Sequence, residues 1–223
     1  KYLQKMPDNP NMNTVEQIDQ KSSILHLGCD LKKFDKYKIN KPNSIPNILW
    51  NHRWEYDKNP QLFFETLFKI KECNLKFNLI VLGEKFSTYP EIFDIAKKEL
   101  SNEIIHWGYC DSFEEYSKWL WKSNIVPVTS NQDFFGISIV EAVYCNSKPI
   151  LPNKLAYPEI FDILKNKKIF YNDESDFFNR LHDEILNFNK ENLFLNQINK
   201  FDWTNMIKQY DKTFSILKEK FSD

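Results

Sequence analysis

Short apolar runs alternate with amphipathic stretches along most of this chain, and the alternation itself predicts its architecture. Ile48–Trp50, Phe77–Leu82, Ile104–Trp107, Ile125–Val128, Pro149–Leu151 and Ile169–Tyr171 are brief, apolar and bounded by turn residues, as buried strands are. Between them lie stretches with helical spacing. Pro60–Glu72 places Leu62, Phe63, Leu67 and Ile70 near one face, and Pro90–Leu100 carries proline in its first turn. Phe113–Trp121 follows Ser112, a residue suited to cap it. Gly136–Cys145, Pro158–Leu164, Asp176–Phe188 and Thr204–Lys220 complete the helices. Strands and helices that alternate at this length predict an α/β fold, a doubly wound parallel sheet of about six strands with helices on both faces.

The first residues fit that scheme less well. Residues 1–23 are polar and read as a helix remnant and loop, and Ile24–Leu27 is a further short strand candidate. Lys41-Pro-Asn-Ser-Ile-Pro46 has the chemistry of a linker, so the compact domain is expected to span 47–200. Lys1 stands where a methionine would open a complete protein, which points to a fragment.

Composition narrows the function class. A net charge of -1 excludes a large nonspecific affinity for polyanions. No apolar run approaches the roughly 20 residues of a membrane span, and no signal peptide opens the chain. Cys29, Cys73, Cys110 and Cys145 are widely spaced, without the pairing of a metal site, and read as free thiols of a reducing cytoplasm.

Two scarcities mark positions. The chain has only 4 glycines, and Gly28, Gly83 and Gly108 each close an apolar run while Gly136 sits just past another. Glycine kept for such places serves sharp turns or close approach of a ligand. Arg53 and Arg180 are the only arginines against 28 lysines, and Arg53 closes the first clear strand. Lys58 follows before the first helix. A second feature lies where strand 125–128 hands over to the next helix: Asp133-Phe-Phe-Gly-Ile-Ser-Ile-Val-Glu141 brackets Gly136 with two carboxylates. Open α/β sheets bind ligands at such junctions, where a helix start offers free N–H groups to an anion. Two cations facing that start form a site for a diphosphate. Glu141 itself sits within an apolar helix and needs a partner.

These residues resemble those of the retaining, family 4 type GT-B glycosyltransferases, in the C-terminal, donor-binding half. That family carries an arginine and a lysine after the first strand of this Rossmann-like half, and a Glu-x7-Glu motif enclosing Phe-Gly. Here they are Arg53, Lys58 and Asp133 to Glu141, with Asp in place of the first Glu, shorter by about 1.5 Å. Trp50–Lys58, His106–Tyr109, Phe134–Gly136, Glu141–Cys145 and Tyr157–Phe161 are similar to the subgroup that transfers mannose to queuosine in tRNA. The resemblance implies GDP-mannose as donor, with no cofactor and no metal required. Arg53 and Lys58 would neutralise the leaving diphosphate. The backbone of Phe135, Gly136 and Ile137 would bind phosphate or sugar, Glu141 the ribose hydroxyls and Asp133 the mannose. Tyr109, with the turns at Gly108 and Gly83, would border the nucleotide.

It also implies that residues 1–46 are the remnant of an N-terminal domain and its link, and that 201–223 form a helix crossing back to that missing domain. Met206, Tyr210 and Phe214 would then lack part of their cover. tRNA is the expected acceptor partner, with the lysines of Lys32–Lys41 as a candidate contact. His52 and Glu159 read as structural, Glu159 as a cap for its own short helix. A transferase using another nucleotide sugar on a lipid or glycan remains open, as does a non-catalytic nucleotide-binding domain. A dehydrogenase is disfavoured because no Gly-x-Gly-x-x-Gly turn follows a strand.

Overall fold

The computed structural model describes residues 12–39, 44–188 and 195–220; the start at Tyr2–Met6 and linker positions 40–43 lie outside them. Helix α1 (Met12–Lys21) precedes the sheet. Then come β1 (Asn47–Asn51), α2 (Pro60–Glu72), β2 (Asn78–Leu82), α3 (Ile92–Glu99), β3 (Ile104–Trp107), α4 (Phe113–Lys122) and β4 (Ile125–Pro127). The second half runs α5 (Ile137–Tyr144), β5 (Lys148–Pro152), α6 (Tyr157–Ile160), β6 (Phe170–Tyr171), α7 (Glu174–Leu186), α8 (Leu195–Ile198) and α9 (Trp203–Lys220).

The six strands pair in the order β3-β2-β1-β4-β5-β6, every pairing parallel, as the alternating pattern predicts. Strand period divides the core in two. Ile48, Trp50, Leu79, Val81, Ile125 and Ile150 face α2, α3 and α7, while Leu49, Ile80, Leu82, Val126 and Leu151 face α4 and α5. Phe63, Phe64, Leu67 and Ile70 of α2 are fully buried, each contributing about 1.5–3 kcal/mol relative to exposure.

The chain winds outward from β1 in one direction and from β4 in the other. Their carboxyl ends therefore diverge, and a crevice opens between the loops that follow them. Both loops are pinned. After β1, Trp54 stacks on Phe93 at 4.4 Å and its indole N–H donates to the Leu82 carbonyl at 3.1 Å. After β4, the Thr129 hydroxyl reaches the carbonyls of Lys58 and Asn59, both at 2.9 Å, and the Asn131 N–H donates to the Asp57 carbonyl at 2.7 Å. Gly83 is required between them: a Cβ there would lie 1.9 Å from the His52 carbonyl oxygen.

Three expectations are corrected. Ile24–Leu27 forms no strand; Ile24 and Leu27 are exposed, and Leu25 packs on the core instead. Cys29 alone bridges, in parallel, to Asp202. The helix expected over Pro158–Leu164 is Tyr157–Ile160 and stops ahead of Asp162, whose φ is 48°. Along α9, Met206 is buried and the Tyr210 hydroxyl donates to the His26 carbonyl at 2.9 Å, so only Phe214 of the three lies open. Cys29, Leu31 and Phe34, upstream of β1, share the core of the α4–α5 face, and the Trp121 indole N–H donates to the Phe34 carbonyl at 2.8 Å.

Candidate functional site

A cleft of about 600 Å³ opens at the crevice between β1 and β4. Arg53, Lys58, Gly83, Tyr109, Asp133, Gly136 and Ile137 all line it, so residues expected from four separate loops meet in one place, while Glu141 is not among the lining residues. Arg53 projects from the end of β1 with its side chain 55 % exposed, and its guanidinium pairs with Glu55 at 3.0 Å. That pairing leaves most of the planar fork open to the cleft.

Lys58 is more enclosed, at 13 % exposure. Its ammonium donates to the Gln132 carbonyl at 2.8 Å and lies 3.1 Å from Asp57 and 3.9 Å from Asp133. The bonds from Thr129 and Asn131 hold the chain of residues 57–59 against the β4 exit, which is what brings this lysine to Asp133.

Gly136 caps α5 with φ 79° and ψ 47°, a left-handed conformation that glycine adopts without strain. A Cβ there would also lie 2.8 Å from the Tyr157 ring. The first turn of α5 has N–H groups without intrahelical acceptors, and Ile137 and Ser138 of that turn line the same cleft as Arg53 and Lys58.

Each acid of the Asp133–Glu141 pair is held by a tyrosine. The Tyr157 hydroxyl donates to Asp133 Oδ2 at 2.8 Å, and Tyr157 is fully buried beneath Gly136. Burial, with Asp133 beside it, raises its phenol far above the ordinary range, so it stays a donor. The Tyr116 hydroxyl donates to Glu141 Oε2 at 2.8 Å. Burial raises the Glu141 carboxyl, and that bond opposes the shift. Neither tyrosine stands out in the sequence as a partner, because each lies more than twenty positions from its acid and reads as core.

Other placements differ from the sequence reading. The Phe135 ring turns from the cleft and packs edge-on against Phe201 at 5.2 Å, while Phe134 is 100 % exposed. Gly108, with φ 126°, shapes the turn ahead of Tyr109 but does not itself line the cleft. Tyr109 does, with 69 % exposure. His52 also lines it, edge-on to Trp50, and burial lowers its imidazole from 6.5 to about 4. It is therefore neutral; its buried Nε2 has no partner among the described residues, and no contact accounts for that. Glu159 makes no cap but pairs with His26 at 3.2 Å.

The fold also gathers His106, Cys110 and Glu115 within 4.8 Å, a proximity that sequence spacing hides. His106 Nε2 lies 3.2 Å from the Gly108 carbonyl, which only accepts. Cys110 Sγ lies 3.8 Å from the same nitrogen. Burial raises the Cys110 thiol to about 11. Of the lysine run, Lys33 sits over the Phe113 ring at 4.6 Å, Lys38 over Trp121 at 5.3 Å, and Lys41 falls outside the described residues.

Residues 32–201 match the family described as Glycosyl transferases group 1. The tRNA-queuosine alpha-mannosyltransferase of Drosophila melanogaster is 31% identical over 193 residues, covering 82% of this chain and 49% of that protein. The chain thus spans about half the length of the curated relative it matches. Among solved structures, the α,α-trehalose 6-phosphate synthase of Burkholderia multivorans superposes with a TM-score of 0.64 at 12% identity, over 89% of this chain and 50% of that one. The sucrose-phosphate synthase of Thermosynechococcus elongatus gives 0.64 at 17% identity, over 87% of this chain and 52% of that one. No helix among the described residues is long and apolar enough to cross a membrane. Through the family match, and with a sheet that superposes on about half of each of these enzymes, the chain belongs to the group 1 glycosyl transferases, as a GT-B domain of the family 4 type.

Proposed function

We propose that this domain binds the donor in a retaining glycosyltransferase that moves mannose from GDP-mannose to queuosine in tRNA. The observation that carries the reading is the convergence of Arg53, Lys58, Asp133 and the Gly136 helix start on one cleft at the switch of the sheet. The 31% identity to a tRNA-queuosine mannosyltransferase favours mannose as the sugar and queuosine as the acceptor.

Negative charge grows on the leaving diphosphate as the sugar bond breaks. Fixed cations at that point stabilise the transition state more than the ground state. Arg53 offers two parallel donors to phosphate oxygens; Lys58 acts as a compact charge already desolvated beside Asp133. The first N–H groups of α5 add donors without side-chain entropy. Asp133 accepts from hydroxyls of the transferred sugar, and Glu141 from the ribose. The acceptor hydroxyl attacks on the face the diphosphate leaves, and a diphosphate oxygen takes its proton. The acceptor comes from tRNA, held by parts of the enzyme beyond this domain, with Lys32–Lys41 as a contributing contact.

Calorimetry with GDP-mannose, GDP and UDP-glucose tests this. GDP-mannose is expected to bind most tightly, and Arg53→Ala to weaken it about ten- to hundredfold, the loss of a charge-assisted pair. Equal binding of all three ligands, or an unaffected Arg53→Ala, would refute the assignment.

A further inference from the structure

Three elements carry a polar relay behind Glu141. Asn51 ends β1, Tyr116 lies on α4, and Ser138 and Glu141 lie on α5. The Asn51 side-chain amide donates to the Ser138 carbonyl and to the Tyr116 hydroxyl, each at 2.9 Å. Both of its N–H groups are then used. The Tyr116 hydroxyl, accepting from Asn51, has one direction left for its own proton, and that proton goes to Glu141 Oε2 at 2.8 Å. The relay thus has a fixed sense, from amide to phenol to carboxylate.

We propose that Tyr116, oriented by Asn51, is a positioning residue that holds Glu141 so that its remaining oxygen meets the ribose hydroxyls of the bound nucleotide. The inference rests on the donor-site reading above. Tyr116 occupies one oxygen of the carboxylate only, and among the described residues Oε1 receives no hydrogen bond. A cis-diol has two hydroxyl donors and matches such an acceptor. Tyr116, Asn51 and Ser138 all line the cleft; Glu141 is not among its lining residues and stands directly behind the Tyr116 hydroxyl.

The relay also sets charge. Burial pushes the Glu141 carboxyl up, while the Tyr116 bond and Lys33, on the turn 32–37, pull it down. Cys29, ahead of that turn, and Cys145, at the end of α5, are the thiols nearby, and burial keeps Cys29 protonated with a value raised to about 12. Removing the phenol hydroxyl therefore raises the carboxyl further. The pH below which ribose binding weakens moves upward.

The test titrates GDP and 2′,3′-dideoxy-GDP into the protein and into its Tyr116→Phe, Glu141→Gln and doubly substituted forms. Tyr116→Phe is expected to weaken GDP about tenfold, the loss of one hydrogen bond to a charged group, and to leave the dideoxy nucleotide unchanged. The double substitution should be no weaker than Glu141→Gln alone, and the acid limb of GDP binding should shift to higher pH in Tyr116→Phe. A Tyr116→Phe protein that loses both nucleotides equally, or neither, while Glu141→Gln loses GDP alone, overturns the positioning role and leaves the donor site standing. Wild-type protein that binds the two nucleotides equally, or binds neither, overturns the ribose assignment of Glu141 and this inference with it.

Discussion

Gly136 shows how one residue serves backbone and packing together. Alanine at this position would have to adopt φ 79° and place its Cβ 2.8 Å from the Tyr157 ring. Gly136→Ala is expected to cost about 2 kcal/mol or more, read as a fall in the urea midpoint; an unchanged midpoint would mean the loop is not held as described. His52 and Glu141 link stability to pH with opposite signs. The His52 imidazole titrates at 6.5 when unfolded and near 4 when folded, because burial disfavours its charged form. Acidification through that window protonates the unfolded chain first, so stability falls there. A Tm profile should lose that slope in His52→Asn; a slope that persists places the proton elsewhere. Glu141 has its carboxyl raised by burial, so its ionisation costs the folded state as pH rises above 4.5. Glu141→Gln should therefore raise Tm at pH 7, with the gain fading in acid, even as nucleotide binding is lost. A lower Tm at pH 7 would contradict that.

At the scale of elements, the alternation of apolar runs and amphipathic stretches was enough to place all the sheet strands, because a parallel strand buried on both faces is apolar throughout. The same signal misleads at Ile24–Leu27, which is apolar but has no strand beside it with which to pair, and which spends Leu25 on packing instead. Of the cleft lining, Arg53, Lys58, Asp133 and Gly136 were legible because charge and glycine are rare in their contexts; Glu141 was too, but it lies outside that lining. Tyr116 and Tyr157 were not. Their hydroxyls matter only once α4 and α6 are folded against α5, and no spacing rule links them to Glu141 and Asp133. Asp202, just ahead of α9, is a further case. In the fold it is buried and accepts from the N–H groups of Leu31 and Lys32, both at 3.2 Å, and of Thr204 at 3.0 Å. Asp202→Ala strands those donors and is expected to destabilise by about 3 kcal/mol in denaturant titration. A loss under about 1 kcal/mol would show that water replaces the carboxylate freely.

The whole molecule is a sheet that reverses its winding between β1 and β4, with the cleft placed at that reversal. It corresponds to about half the length of each of these related proteins. We expect the 223-residue chain alone to bind the nucleotide sugar weakly and to turn over poorly or not at all. Radiolabelled mannosyl transfer to tRNA by this chain alone would contradict that. The most direct test of the central claim is a crystal structure with GDP-mannose bound. The diphosphate is predicted to lie within hydrogen-bond reach of the Arg53 guanidinium, the Lys58 ammonium and the backbone N–H groups at the start of α5. A well-ordered nucleotide whose phosphates sit away from these three groups would contradict the account.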